Sequence, residues 1–244
     1  ELMQITKHAG VSLSAYCGGI SQWSCESCRE SVPDGRIVTM FKTLLYDING
    51  FILHSDRDET IYLVFRGTMS VRNIIPDITL LYKDYEKVDG AFVQQGSFYD
   101  SYIDASEKFL PIFLRHVKSY PTYKIVVTGH SLGAAIATIA APKLFEIDNV
   151  HFGPNNMKLY TYGSPRVGNE AFARYLVGTG LYISRSVHKN DLFTTIPNVS
   201  AGFLHVGIET HIYEDPDLIR VCTSKLESSL CSSSLTLTSI EDHL

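Results

Sequence analysis

Long hydrophobic runs are missing from this chain, and so are runs of lysine or arginine. The apolar stretch Ile136–Leu144 is interrupted by Pro142 and falls well short of the ~20 residues a membrane-spanning helix needs. No transmembrane segment is expected. Acidic residues outnumber basic ones, 26 to 21, for a net charge of −5. Nucleic acid is excluded as a partner, because phosphate binding requires a basic face. There is no internal repeat and no low-complexity linker; the serine-rich patch Ser228–Ser234 is too short to act as one. Tryptophan occurs once, at Trp23. Cys25 and Cys28 form a Cys-x-x-Cys, but no second such pair exists to complete a zinc site. Neither a metal nor a cofactor is expected. The first residue is Glu1 rather than methionine, which reads as a processed N-terminus.

What is present suits one well-filled core. The chain has 244 residues, 45% of them hydrophobic, and residues 1–244 are read as one domain. A helix is expected near the start, with Ile5, Ala9, Leu13 and Tyr16 on one face. Ile37–Tyr46 and Phe51–His54 read as strands, with Asn49-Gly50 as a hairpin turn between them. Thr60–Phe65 and Lys124–Thr128 are apolar and β-branched on both faces, as strands buried on two sides should be. Lys158–Tyr162, Tyr182–Val187 and Glu209–Tyr213 are further strands, while 101–117, 132–145 and 169–177 read as helices. Strands alternating with helices of this length predict an α/β fold with a largely parallel central sheet.

The chemistry centres on Gly129-His130-Ser131-Leu132-Gly133, a G-x-S-x-G sequence with a buried strand before it and a small-residue helix after it. That is the setting of a nucleophile elbow. Glycines let strand and helix approach closely around a strained serine, and the helix N-terminus aims free N–H groups at developing negative charge. A serine nucleophile needs a base, and the base needs an orienting acid. Downstream acids include Asp191, Asp215, Asp217 and Asp242; downstream histidines include His188, His205, His211 and His243. Asp191 follows a strand and opens a turn-forming stretch ending at Pro197, which places it at the sheet edge where α/β folds gather their sites. Asp242 neighbours His243, so their side chains should diverge. Spacing alone leaves His205 and His243 open as the base. His205 and His211 lie six apart, too few ligands to make a metal site. Cys222 and Cys231 flank a short polar stretch suited to a disulfide loop, implying an oxidising compartment. Asn198-Val199-Ser200 is a glycosylation sequon.

With these residues in hand, the sequence resembles the fungal triacylglycerol lipases of the Rhizomucor and Rhizopus type, class 3 lipases. The resemblance runs in order through Val64–Thr68, Val127–Gly133, Pro165–Asn169, Val187–Asp191, Gly202–His205, Val221–Ser224 and Asp242–Leu244. It implies an α/β-hydrolase fold and a triad of Ser131, Asp191 and His243. It implies an oxyanion hole from Thr68 and the Leu132 N–H, with His205 outside the triad. It also implies a lid over residues 69–77, its apolar face made by Val71, Ile74 and Ile75 with Arg72 beside it. The family's tryptophan in the lid is Ile74 here, and the glycine usual after G-H-S-L-G is Ala134. The family also continues beyond the Asp242–Leu244 motif to a cysteine that pairs with the equivalent of Cys17. Cys25–Cys28 and Cys222–Cys231 are therefore the expected disulfides, with Cys17 unpaired.

These readings converge on a secreted lipase that hydrolyses acylglycerol esters at an oil–water interface. It would work through an acyl-enzyme, with no cofactor. The rival readings are an esterase for soluble or feruloyl esters and a non-catalytic lipid-binding relative.

Overall fold

Alternation of side chains along the central strands organises the molecule. The computed structural model describes residues 1–68, 81–214 and 218–243. In β3 (Thr60–Arg66) the odd positions Ile61, Leu63 and Phe65 enter one hydrophobic core, while Tyr62 and Val64 enter a second on the opposite face. β6 (Lys124–His130) repeats this, with Ile125 and Val127 in the first core and Val126 in the second. A strand that feeds two cores must be apolar on both sides, and these two segments are.

The main sheet has eight strands in the order β1-β2-β3-β6-β7-β9-β11-β12. It comprises β1 (Arg36–Lys42), β2 (Asn49–Ser55), β3, β6, β7 (Met157–Tyr162), β9 (Tyr182–His188), β11 (Ile208–Glu214) and β12 (Leu218–Cys222). Pairing is parallel from β3 through β6, β7 and β9 to β11, with antiparallel strands at both edges. Helices α1 (Leu2–Ser14) and α2 (Glu26–Ser31) cover one face. On the other lie α3 (Ser101–Ser119), α4 (Leu132–Ile147) and α5 (Glu170–Gly178). A short second sheet joins β4 (Tyr82–Asp84), β5 (Phe92–Gln94), β8 (Gly168–Asn169) and β10 (Phe203–Leu204). This is the expected arrangement of a mostly parallel sheet between helices.

α4 is buried along nearly its whole length and rich in alanine. Small side chains let it lie close to the sheet beneath and to α3 alongside. Burial on all sides, rather than an apolar stripe, explains why its pattern is not amphipathic.

The Asn49-Gly50 turn is a correction. Both residues lie inside β2, Asn49 opposite Lys42 and Gly50 opposite Phe41, and the connection runs through residues 43–48. Gly50 is required for close packing instead: a Cβ there would meet the Phe41 ring at 2.3 Å and the Val64 carbonyl at 2.4 Å. The first strand accordingly ends at Lys42 rather than continuing to Tyr46. Disulfides link Cys25 to Cys28 and Cys222 to Cys231, leaving Cys17 as the free thiol.

Candidate active site

The C-terminal ends of the parallel strands converge on Ser131. It links β6 to α4 with φ 60° and ψ −128°, a region non-glycine residues occupy only when the surroundings enforce it. The enforcement is visible. The Ser131 N–H donates to the Tyr162 carbonyl at 2.9 Å. A Cβ on Gly129 would meet the Gly133 backbone at 2.4 Å, and one on Gly133 would meet the Phe65 carbonyl at 2.2 Å. The two motif glycines thus let the turn close and α4 rest on β3. Leu132 is the first residue of α4, so its N–H has no acceptor within the helix.

Asp191 and His243 meet although 52 residues separate them. Asp191 follows β9, and its carboxylate caps the next turn by accepting the Phe193 N–H at 2.8 Å. The chain end is stitched to this loop: Leu192 N–H donates to the Ser239 carbonyl at 3.0 Å and Ser239 N–H to the Asn190 carbonyl at 2.8 Å. The Asp242 carboxylate accepts the Asn190 N–H at 3.2 Å. Asp242 therefore anchors the segment, while its neighbour His243 turns inward. His243 Nδ1–H donates to the Asp191 carboxylate, 2.9 Å from each oxygen, which leaves the Nε2 lone pair available. Phe193 lies against the imidazole with ring centroids 4.0 Å apart. Gly163, at φ 54°, leaves room for the pair; a Cβ there would lie 2.9 Å from His243 Cε1 and 3.0 Å from Asp191 Oδ2.

Ser131 Oγ and His243 Nε2 are both buried, and neither has a hydrogen-bond partner among the described residues. No bond joins them in this structure. Such bonds often tighten only around substrate, and two unpaired buried polar atoms are costly unless function retains them. A hydroxyl at a helix N-terminus, an imidazole with a free lone pair and a carboxylate orienting that imidazole are together competent for nucleophilic attack on a carbonyl.

Thr68 follows β3 by two residues and has a buried Oγ1 without a partner among the described residues. Together with Leu132 it lines a cavity of about 480 Å3. Val71, Arg72, Ile74 and Ile75, and the expected lid over 69–77, lie outside the described residues.

A relay that no local sequence pattern signals ties these parts together. The Gly67 N–H donates to the Tyr16 hydroxyl at 3.0 Å, Tyr16 O–H to His130 Nδ1 at 2.9 Å, and His130 Nε2–H to the His243 carbonyl at 3.0 Å. Burial pushes Tyr16 up to about 12. Burial, and then the nearby His243, push His130 down to about 4. Both are neutral at ordinary pH, which gives every bond in the relay its direction. Contacts spanning 51, 114 and 113 residues leave no local signal in sequence.

The other histidines have separate roles. His205 is buried, and its Nε2 donates to the Thr194 carbonyl at 2.7 Å, within the loop that follows Asp191. Arg166 clamps the same loop through the Thr195 and Pro197 carbonyls and pairs with Glu227, whose carboxylate also accepts the His205 N–H at 3.0 Å. His211 lies near Glu209 and Cys231. Cys231 Sγ is bonded to Cys222, and Glu209 is engaged by Arg185 and the Ser232 N–H. That cluster is structural.

The sequence model of the family described as Lipase (class 3) matches residues 62–201. A lipase of Rhizopus niveus is 43% identical over 248 aligned residues, covering all of this chain and 63% of that relative. The chain thus spans somewhat less than two thirds of that protein's length. The solved structure of lipase II from Rhizopus niveus superposes with a TM-score of 0.96 at 43% identity, covering 100% of this chain and 93% of that one. A triacylglycerol lipase described as having a serine-protease triad as its catalytic centre superposes with a TM-score of 0.94 at 39% identity, again covering 100% and 93%.

Proposed function

Because the chain belongs to the class 3 lipase family, we propose that it is a triacylglycerol lipase whose nucleophile is Ser131. The observation that carries this reading is the pairing of Asp191 with His243 beside a serine held in an elbow conformation. Ser131 Oγ attacks the ester carbonyl. His243 Nε2 takes its proton and returns it to the departing alcohol, and Asp191 keeps the imidazole in the tautomer this requires. The Leu132 N–H, with Thr68 through its N–H and hydroxyl, stabilises the oxyanion; one such donor contributes about 3 kcal/mol. Water attacks the acyl-enzyme with His243 as base, releasing the fatty acid and regenerating Ser131.

Residues 1–244 act as one catalytic domain in this account. The lid over residues 69–77 presents Val71, Ile74 and Ile75 to lipid, and a lipid surface favours its open state by differential interaction. Two disulfides fit a secreted protein. A comparison of substrates tests the reading. Rates on a triacylglycerol such as tributyrin should rise sharply once substrate exceeds its solubility and forms droplets, and emulsified triolein should also be hydrolysed. Turnover of dissolved esters with no rise at saturation and none on triolein would make the protein an esterase.

A further inference from the structure

The connection between β1 and β2 carries two leucines in solvent. Leu44 is 97% exposed, the most exposed large hydrophobic side chain among the described residues, and Leu45 is 77% exposed. Single exposed leucines are ordinary, but adjacent ones on a site's rim call for a reason. The loop's base is built to hold them outward. Thr43 and Ile48 are fully buried and joined twice, Thr43 N–H to the Ile48 carbonyl at 2.9 Å and Ile48 N–H to Thr43 Oγ1 at 3.1 Å. With both ends pinned in the core, Tyr46 packs against it while the two leucines stay in solvent. Asn49 Nδ2 secures the far side by donating to the Asp47 carbonyl at 2.8 Å.

The loop's position gives the leucines their context. Leu45 lines the same cavity as Thr68 and Leu132. Gly96 lines another part of that cavity; the residue before it, Gln95, donates its N–H to the carbonyl of Leu81 at 2.9 Å, and Leu81 is itself 57% exposed. Exposed apolar side chains therefore lie on the loop that lines the cavity and on a segment hydrogen-bonded to the residue before Gly96. The loop's own charges, Lys42 and Asp47, neutralise each other across 3.0 Å, with Arg66 also acting on Asp47 from the neighbouring strand.

We propose that the Leu44–Leu45 loop is a fixed anchor that inserts into a neutral lipid surface and brings the cavity mouth onto it. The inference rests on the lipase reading and adds a docking site independent of the lid. Its electrical neutrality, in a chain of net charge −5, fits an uncharged acylglycerol surface better than an anionic membrane, to which a negative protein gains no attraction.

The test uses Leu44, which does not line the cavity. Leu44→Asp and Leu44→Phe are compared with the parent for adsorption to triolein droplets, measured by depletion from the aqueous phase, and for hydrolysis of a dissolved short-chain ester. Leu44→Asp should need at least about tenfold more droplet surface for half-maximal adsorption, because one buried leucine accounts for a factor of that size. Leu44→Phe should adsorb as the parent does, all three should turn over dissolved ester equally, and added salt should not weaken adsorption. Parent-like adsorption of Leu44→Asp, while the parent hydrolyses triolein, would overturn the anchor and leave the lipase reading standing. Loss of dissolved-ester activity in Leu44→Asp, or adsorption that falls with salt, would also overturn it. A parent that dimerises through this loop without lipid, with Leu44→Asp monomeric, would assign the patch to a second copy instead. A parent that turns over dissolved ester but neither adsorbs to nor hydrolyses triolein would remove the lipase reading, and the anchor with it.

Discussion

Replacing His243 with alanine is expected to lower kcat on a dissolved ester by about ten-thousand-fold or more, since members of such a triad act as a unit. Replacing His205 should leave kcat within about tenfold of the parent. The two residues are both buried histidines near the Asp191 loop, so the comparison isolates role from burial. His243 Nδ1 faces the Asp191 carboxylate, and its Nε2 has no partner among the described residues. His205 Nε2 is occupied by the Thr194 carbonyl, and burial holds its imidazole neutral, well below the usual histidine range. His205→Ala leaves that carbonyl unsatisfied and should cost about 1–3 kcal/mol of stability instead. Steady-state kinetics alongside thermal melting separates the outcomes. An inactive His205→Ala with an active His243→Ala would reverse the assignment of the base.

The largest stability effect is expected from Glu227→Gln. Arg166 and Glu227 are almost wholly buried as a bidentate pair, and removing one charge strands the other, a loss of about 3–5 kcal/mol. For a domain of this size that lowers Tm by roughly 6–20 °C. The pH dependence sharpens the test. Burial alone would raise the Glu227 carboxyl, but hydrogen bonds from Arg166 and the His205 N–H, with the charge of Arg166, hold it well below the usual carboxylate range. A depressed carboxylate contributes fully above its unfolded value near 4.5 and loses that contribution as pH falls toward the folded value. The stability difference between parent and Glu227→Gln should therefore be constant from pH 8 to about 5 and shrink below 4.5. A difference that is small at pH 7, or that grows in acid, would contradict the clamp. Denaturant titrations at each pH measure it.

What sequence could and could not reveal follows from the range of the interactions. Thr60–Phe65 and Lys124–Thr128 were legible because burial on both faces demands continuous β-branched and aromatic residues. The elbow was legible because its glycines, its strand and its helix are adjacent in the chain. Asn49-Gly50 misled, since a glycine required by the Phe41 ring looks the same in sequence as one required by a turn. The choice between His205 and His243 was undecidable from spacing; it depends on how Ser239 and Asp242 dock onto the Asn190–Leu192 backbone. The roles of Tyr16, His130, Arg166 and Glu227 were unreadable for the same reason. The strands of the second sheet are two or three residues long, too short for any periodicity to register.

The central claim, that Ser131 is a nucleophile activated by His243, is tested most directly by covalent labelling. The native protein and its His243→Ala variant are each incubated with an alkyl p-nitrophenyl phosphonate, which a nucleophilic serine attacks with release of p-nitrophenolate. The adduct is then located by peptide mass spectrometry. The account predicts one phosphonyl group per chain, on Ser131, formed concurrently with complete loss of ester hydrolysis, and negligible labelling of His243→Ala over the same interval. Stoichiometric labelling at another residue, or full ester hydrolysis by protein phosphonylated on Ser131, would contradict it.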